Sequence, residues 1–201
     1  KNDLEALMFT AMRYSLILTV TAMALVVTVG SNNVLAQGQT TGLRAQYIAD
    51  YETMSSKFGE LAEAMDSDMY GWQPMADVRT VSEVFMLIVA ENYLMPSSWG
   101  ATAPSGVTVC GAMFEEMATI TDKDEVLAHL EQSFDYVISA MGDITDARMS
   151  ETIQFFGQET TVQGALFFIV IDMHEHLGQA IAYARTNNVV PPWSARQTSG
   201  N

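Results

Sequence analysis

The residues best placed to do chemistry stand near the C-terminus, where Asp172 and His176 are four positions apart. Each residue of a helix advances by roughly 100°, so these two side chains share one face, which Gln179 and Tyr183 continue. His174 lies about 200° from His176 around the same helix and therefore cannot point into the same site. Zinc-binding helices use the i, i+4 spacing for two histidines. The pattern thus indicates either two metal ligands or a buried Asp–His hydrogen bond.

A metal site needs a third ligand from another element, and the second predicted helix offers two candidates. Glu83 and Glu91 lie on one helical face together with Leu87. Glu83 also stands three residues after Thr80, and this capping-box spacing gives it a local role at the start of the helix. Either glutamate could complete the site, although exposure to solvent is the ordinary fate of glutamate.

Four amphipathic segments and no alternating strand pattern predict an all-α fold in which four helices form a bundle. The first two predicted helices cover residues 43–65 and 81–94. The third runs from a cap at either Thr121 or Asp122 to about 141, and the fourth from a capping box at Thr160 and Gln163 to about 186. A Gly/Ser/Thr/Pro loop over 97–112 and a short helix over 113–118 connect the second helix to the third. A short extended piece is expected around Phe155, and a loose tail over 195–201.

Two stretches resemble proteins of the DinB-like superfamily. One is His174-Glu-His-Leu-Gly-Gln-Ala-Ile-Ala-Tyr-Ala-Arg185 with the following Asn187-Asn-Val-Val-Pro-Pro-Trp-Ser194, which is similar to the last helix and tail of that superfamily. The other is Tyr70-Gly-Trp-Gln-Pro-Met-Ala-Asp-Val-Arg-Thr-Val-Ser-Glu-Val-Phe-Met86 with Glu91-Asn-Tyr93, which is similar to its second helix. The resemblance covers residues 43–194 and implies an antiparallel four-helix bundle of the DinB-like type.

The resemblance also implies a divalent metal ion held by three histidines, one on the second helix and two on the last. The corresponding positions of this sequence are Leu87, Asp172 and His176. Leucine cannot bind a metal, so the resemblance implies a degenerate site. Zinc, nickel or manganese could be held by Asp172 and His176 with Glu83 or Glu91, or no metal is bound. Gln179 and Tyr183 would then lie behind the ligands or line the pocket.

Superfamily relatives include metal-dependent thiol transferases and hydrolase-like proteins, so the resemblance implies a metal-binding bundle with hydrolase-type activity at a weakened site. The alternative is a non-catalytic bundle that has lost its metal and binds a small molecule or a protein. Whether the chain is an enzyme stays open at this point, and the sequence names no substrate.

The N-terminal residues have the order of a secretory signal peptide. Arg13 precedes an apolar run over 14–30, and a small-residue cleavage pattern ends at Ala36. These features predict a signal peptide over 1–36, a polar spacer over 37–42 and an exported protein, periplasmic or secreted, without a stable membrane span after cleavage. An uncleaved membrane anchor is the alternative.

The charge balance limits the partners. The chain has 24 acidic and 9 basic residues and a net charge of -15. Nucleic acids and anionic membranes attract lysine- and arginine-rich surfaces, so neither is an expected partner. A small molecule and a second copy of the chain, as a homodimer, remain compatible with the sequence.

Overall fold

A computed structural model of the protein describes residues 42–199. The signal peptide predicted over 1–36 and all but the last residue of the predicted spacer lie outside that range. The elements are α1 Leu43–Ala64, α2 Val81–Leu94, α3 Ala112–Met117, α4 Lys123–Gly142, β1 Thr152–Phe155, β2 Gln158–Thr161, α5 Val162–Thr186 and α6 Pro192–Ser199. Among the described helices, none combines the length and apolar character that crossing a membrane requires.

The four long helices α1, α2, α4 and α5 pack around one apolar core, which confirms the predicted bundle. Helix α1 packs against α4 and α5, and α2 packs against the same two helices. Lys123, at the start of α4, donates to the backbone carbonyl of Glu63 near the end of α1 at 2.7 Å. Arg44, at the start of α1, pairs with Asp146 just beyond α4 at 3.1 Å. Helices α1 and α4 therefore run antiparallel.

The prediction that the whole bundle is antiparallel is wrong for α1 and α5. The rings of Tyr47 and Phe167, near the starts of α1 and α5, are 6.2 Å apart, and Lys57 lies over Trp193, which follows the end of α5. These two helices therefore run parallel, and α2 and α4 run parallel as well. The cause is the connection over 95–122, which is long enough to return the chain to the end of the bundle where α2 began.

Capping residues begin three of the helices. Both hydrogen bonds of the predicted box between Thr80 and Glu83 are present at the start of α2, and Asp122 accepts from the backbone N–H of Glu125 at the start of α4. Helix α5 begins one residue later than predicted, because Thr161 and not Thr160 is its N-cap. Thr161 is still paired with Thr152 in the hairpin, so the helix cannot begin before it.

The connection between α4 and α5 contains a β-hairpin, so the fold is mostly helical and not purely α. Strands β1 and β2 are antiparallel, and Phe155 pairs with Gln158 across a two-residue turn. The turn residues Phe156 and Gly157 have φ of 49° and 76°, the left-handed conformation that such tight turns require. The predicted extended piece around Phe155 thus belongs to a paired hairpin.

The tail predicted to be loose is helical as far as Ser199. Pro192 occupies the first position of α6, where its missing N–H costs no hydrogen bond. Arg196 pairs with Glu60 of α1 at 2.9 Å. A helix start and an ion pair to the bundle therefore order a segment whose composition alone gave no helical signal.

A buried polar chain crosses the apolar core. The hydroxyl of Tyr51 on α1 donates to Oδ1 of Asn92 on α2 at 2.7 Å, and Nδ2 of Asn92 donates to the hydroxyl of Ser133 on α4 at 3.0 Å. Asn92 is 4% exposed, and Tyr51 and Ser133 are fully buried. Because buried polar groups are costly when unpaired, this chain fixes the rotation of α2 against its two neighbours.

Replacing Asn92 by leucine should destabilise the protein by about 1–3 kcal/mol, because Tyr51 and Ser133 would each lose a buried partner. Urea denaturation of the wild type and of Asn92→Leu measures the difference. The triple variant Tyr51→Phe, Asn92→Leu, Ser133→Ala removes all three polar groups and should recover much of the loss. A single variant as stable as the wild type would contradict this role.

Candidate functional site

Three side chains from two helices converge on one point. Glu91 comes from α2, and Asp172 and His176 come from successive turns of α5. One ligand atom of each lies within 4.8 Å of those of the other two, the only such group found within residues 42–199. Nε2 of His176 is 3.7 Å from Oδ1 of Asp172 and 3.8 Å from Oε2 of Glu91. The three side chains are 14–17% exposed, so the cluster is sheltered but can be reached from solvent.

The cluster fits a divalent metal ion. Ligand atoms bound at 2.0–2.2 Å in a tetrahedral site stand about 3.4 Å apart, so only small side-chain movements separate the present distances from metal geometry. Oε2 of Glu91 is buried and has no hydrogen-bonding partner. One imidazole nitrogen and two carboxylate oxygens are a common donor set for divalent cations, and a cation among them would satisfy this oxygen.

A hydrogen-bonded chain behind His176 determines which of its ring nitrogens faces the cluster. The hydroxyl of Tyr183 donates to the backbone carbonyl of Arg79 at 3.1 Å, so its oxygen accepts from Nε2 of Gln179 at 3.2 Å. The amide oxygen of Gln179 therefore turns towards Nδ1 of His176, 3.3 Å away. An amide oxygen can only accept, so Nδ1 carries the hydrogen.

In the neutral imidazole of His176, the remaining ring nitrogen, Nε2, therefore directs a lone pair at the carboxylates of Glu91 and Asp172. When both carboxyl groups are ionised, all three groups are hydrogen-bond acceptors and hold electron density close together. Such an arrangement needs a cation, either a proton or a metal ion. Supporting hydrogen bonds that fix the tautomer of a metal-binding histidine are a regular feature of metal sites.

The two carboxyl groups are strongly perturbed. Burial and the neighbouring charge of Asp172 raise the pKa of Glu91 from its ordinary value of 4.5 to about 8. Burial also raises the pKa of Asp172, although the proximity of His176 acts in the opposite direction. Carboxyl groups that resist ionisation in the absence of a cation are typical of functional sites.

The other candidate positions on α2 lie apart from this cluster. Oε2 of Glu83 accepts from the backbone N–H of Thr80 at 2.7 Å, which is its capping role. Leu87 lies one helical turn before Glu91 and lines a groove of about 230 Å³ together with Phe114 and Ala118. Of the two glutamates that the sequence offered as third ligand, the structure brings Glu91 to Asp172 and His176.

A wider depression opens beside the cluster. It has a volume of about 540 Å³ and is lined by Asp77, Val78, Arg79, Glu83 and Gln179. Gln179 connects it to the cluster through its hydrogen bond with His176, and Arg79 and Glu83 also line the groove at Leu87. None of the three cluster side chains lines the depression, so the side chain of Gln179 separates a small molecule bound there from the cluster.

Two supporting features of the site carried no signal in the sequence. The backbone carbonyl of Arg79 anchors the Tyr183 hydroxyl, and a backbone group cannot be recognised from residue type. Tyr51 lies close enough to Asp172 for the carboxylate charge to contribute to the raised pKa of the phenol, after burial as the main cause. His174 is exposed, as expected for a residue on the opposite face of α5.

Sequence comparison gives one family. A family model described as the DinB superfamily matches residues 50–180, well over half of the chain. Among curated protein sequences, none matches the chain significantly.

Solved structures show the same fold at low sequence identity. A DinB-like protein from Bacillus cereus is 13% identical, with a TM-score of 0.62 over 73% of this chain and 93% of that one. A DinB-like protein from Bacillus subtilis is 18% identical, with a TM-score of 0.57 over 72% and 93%. A mycothiol-dependent maleylpyruvate isomerase is 14% identical, with a TM-score of 0.51 over 67% and 59%. At these identities the similarity concerns the fold alone.

The metal-free protein should lose stability as the pH rises from about 4.5 to about 8. Over this range the folded protein keeps a proton on Glu91 that the unfolded chain has released, so rising pH favours unfolding, by at most about 1.4 kcal/mol per pH unit for one group. Urea denaturation in the presence of a chelator measures the slope. Glu91→Gln cannot ionise and should flatten the profile, whereas an equally steep profile in Glu91→Gln would contradict the assignment.

Tyr183→Phe should release the tautomer of His176, because Gln179 would lose the partner that orients its amide. Imidazole ¹⁵N NMR of the metal-free protein at about pH 9, where histidines are neutral, measures the two tautomers. The wild type should carry its hydrogen on Nδ1, and the variant should show a mixture. Tyr136→Phe is a matched control, since that hydroxyl is buried without a hydrogen-bonding partner. A single unchanged tautomer in Tyr183→Phe would argue against the chain.

Proposed function

The chain belongs to the DinB superfamily, and on this premise we propose that it binds a divalent metal ion through Glu91, Asp172 and His176. We further propose that the ion serves a hydrolase-type reaction on a small molecule. The convergence of these three side chains around a buried, unpartnered carboxylate oxygen is the observation that carries the proposal. Zinc, nickel and manganese all accept this donor set.

When bound, the ion supplies Lewis acidity to a carbonyl or phosphoryl group of the substrate. The residues of the chain supply the rest. Gln179 and Tyr183 hold the imidazole of His176 in the tautomer that leaves Nε2 free to bind. Arg79 lines the depression and places a positive charge beside the cluster, where it can orient an anionic group of the substrate.

A hydrolase suits the proposed location better than a thiol transferase. We propose that the signal-peptide pattern over 1–36 directs export, and low-molecular-weight thiols that serve as transferase substrates are cytosolic. We therefore do not propose a thiol cofactor for this chain, although its fold is similar to that of a mycothiol-dependent isomerase. Water, the co-substrate of a hydrolase, is present in every compartment.

One observation favours a second function, that of a non-catalytic binding module. The resemblance to the superfamily implies that Leu87 stands at the ligand position on α2, and in the structure Leu87 lines an apolar groove with Phe114 and Ala118. An apolar groove next to a weakened metal site could bind a small apolar molecule without any reaction. In that case Glu91 and Asp172 would share a proton in place of a metal ion.

Metal analysis separates the two functions. The protein, purified without a histidine tag or chelator and supplied with zinc, nickel or manganese, should contain close to one ion per chain by mass spectrometry. His176→Ala and Glu91→Ala should abolish binding, because each removes one of three ligands. His174→Ala is the matched control, since this exposed histidine lies two residues away and should have no effect.

Two other results of the metal analysis would contradict metal binding by these three residues. A wild type that stays empty, beside a Leu87→His variant that takes up metal, would show that the site has been lost and would support the binding module. Stoichiometric metal that persists in His176→Ala would place the ion elsewhere and contradict the proposed ligands.

A further inference from the structure

A second groove lies between α1 and α4, on the side of the bundle opposite the metal cluster, which lies between α2 and α5. Its volume is about 540 Å³. The apolar side chains that line it come from α4 at helical spacing, namely Leu127, Leu130, Phe134 and Ile138. The facing residues of α1 are small, namely Ser55, Ser56 and Gly59. Leu127 and Ile138 therefore stay partly exposed in the groove, whereas Leu130 and Phe134 are buried beneath it.

Carboxylates lie along both edges of the groove. Glu52 and Glu63 stand on α1, and Glu131 and Asp135 stand on α4. Within residues 42–199 none of the four forms an ion pair with a basic side chain. Lys123, near one end, donates to backbone carbonyls and does not pair with these carboxylates. Four like charges around an apolar groove repel one another and attract a cationic partner.

We propose that this groove binds a basic amphipathic helix of a partner protein. The groove follows α1 from Glu52 to Glu63, about 16 Å or three helical turns. An apolar stripe at i, i+3 or i+4 and i+7 of a partner helix would cover the partly exposed Leu127 and Ile138, and flanking lysines or arginines would meet the carboxylates. A second copy of the chain fits poorly, because its acidic edges would face an equally acidic surface.

Gly59 allows a test that fills the groove without changing its charge. A Cβ added at Gly59 meets no atom within 4 Å, so Gly59→Phe should fold, and the loss of a helical glycine favours α1. The probe is a fluorescent 18-residue helical peptide of leucine and lysine with one apolar stripe. Its binding to the full chain is measured by anisotropy at low and at physiological salt.

The wild type should bind the peptide saturably, and Gly59→Phe should weaken binding at least tenfold. Glu131→Gln combined with Asp135→Asn should weaken binding and reduce its salt dependence, since two of the edge charges are gone. Glu116→Gln combined with Glu159→Gln is the matched control, because it removes two exposed charges outside the groove.

Two results would overturn the proposal. Equal losses in the groove pair and the control pair, with Gly59→Phe binding like the wild type, would mean that the peptide responds only to overall charge. A wild-type dimer in analytical ultracentrifugation that dissociates in Gly59→Phe would identify a second copy as the occupant.

Discussion

The candidate metal site depends on the buried hydrogen bonds of Asn92. This side chain accepts from Tyr51 on α1 and donates to Ser133 on α4, so it fixes which face of α2 is turned towards those helices. The preceding residue, Glu91, lies about 100° away around the helix and is therefore turned towards α5, where Asp172 is found. A rotation of α2 large enough to remove Glu91 from the cluster would break both hydrogen bonds in the core.

The side chains of Glu91, Asp172 and His176 would move apart if the surrounding hydrogen bonds and packing did not hold them in place. The ionised carboxylates and the Nε2 lone pair of neutral His176 repel one another, and burial raises the pKa of both carboxyl groups because little water reaches them. The surrounding structure prevents their separation by fixing each side independently. Gln179 holds the imidazole, and the packing of α2 holds Glu91. A site whose groups are held together against their own repulsion is prepared for a cation.

The sequence predicted those parts of the structure that depend on local spacing. The shared face of Asp172 and His176 and the capping box that starts α2 both follow from positions a few residues apart. Glu83 and Glu91 share one face of α2, so the choice of Glu91 depends on how far along α5 the helix α2 is placed. Contacts such as those of Asn92, with partners 41 residues away on either side, help to fix that placement. The parallel pairing of α1 with α5 likewise depends on the path of a long connection, for which residue spacing gives no rule.

The donor set also has consequences for the strength of the site. Three neutral imidazoles leave a bound divalent ion with its full charge, whereas the carboxylates of Glu91 and Asp172 in the proposed site would neutralise it. An ion with less net charge polarises a substrate less, so the same substitution that preserves binding reduces Lewis acidity. Carboxylate oxygens also favour harder cations such as manganese over those that prefer nitrogen. With Leu87 unable to bind a metal and Glu91 available one turn further along α2, the proposed site would therefore differ from a three-histidine site in which metal it prefers and how strongly that metal acts.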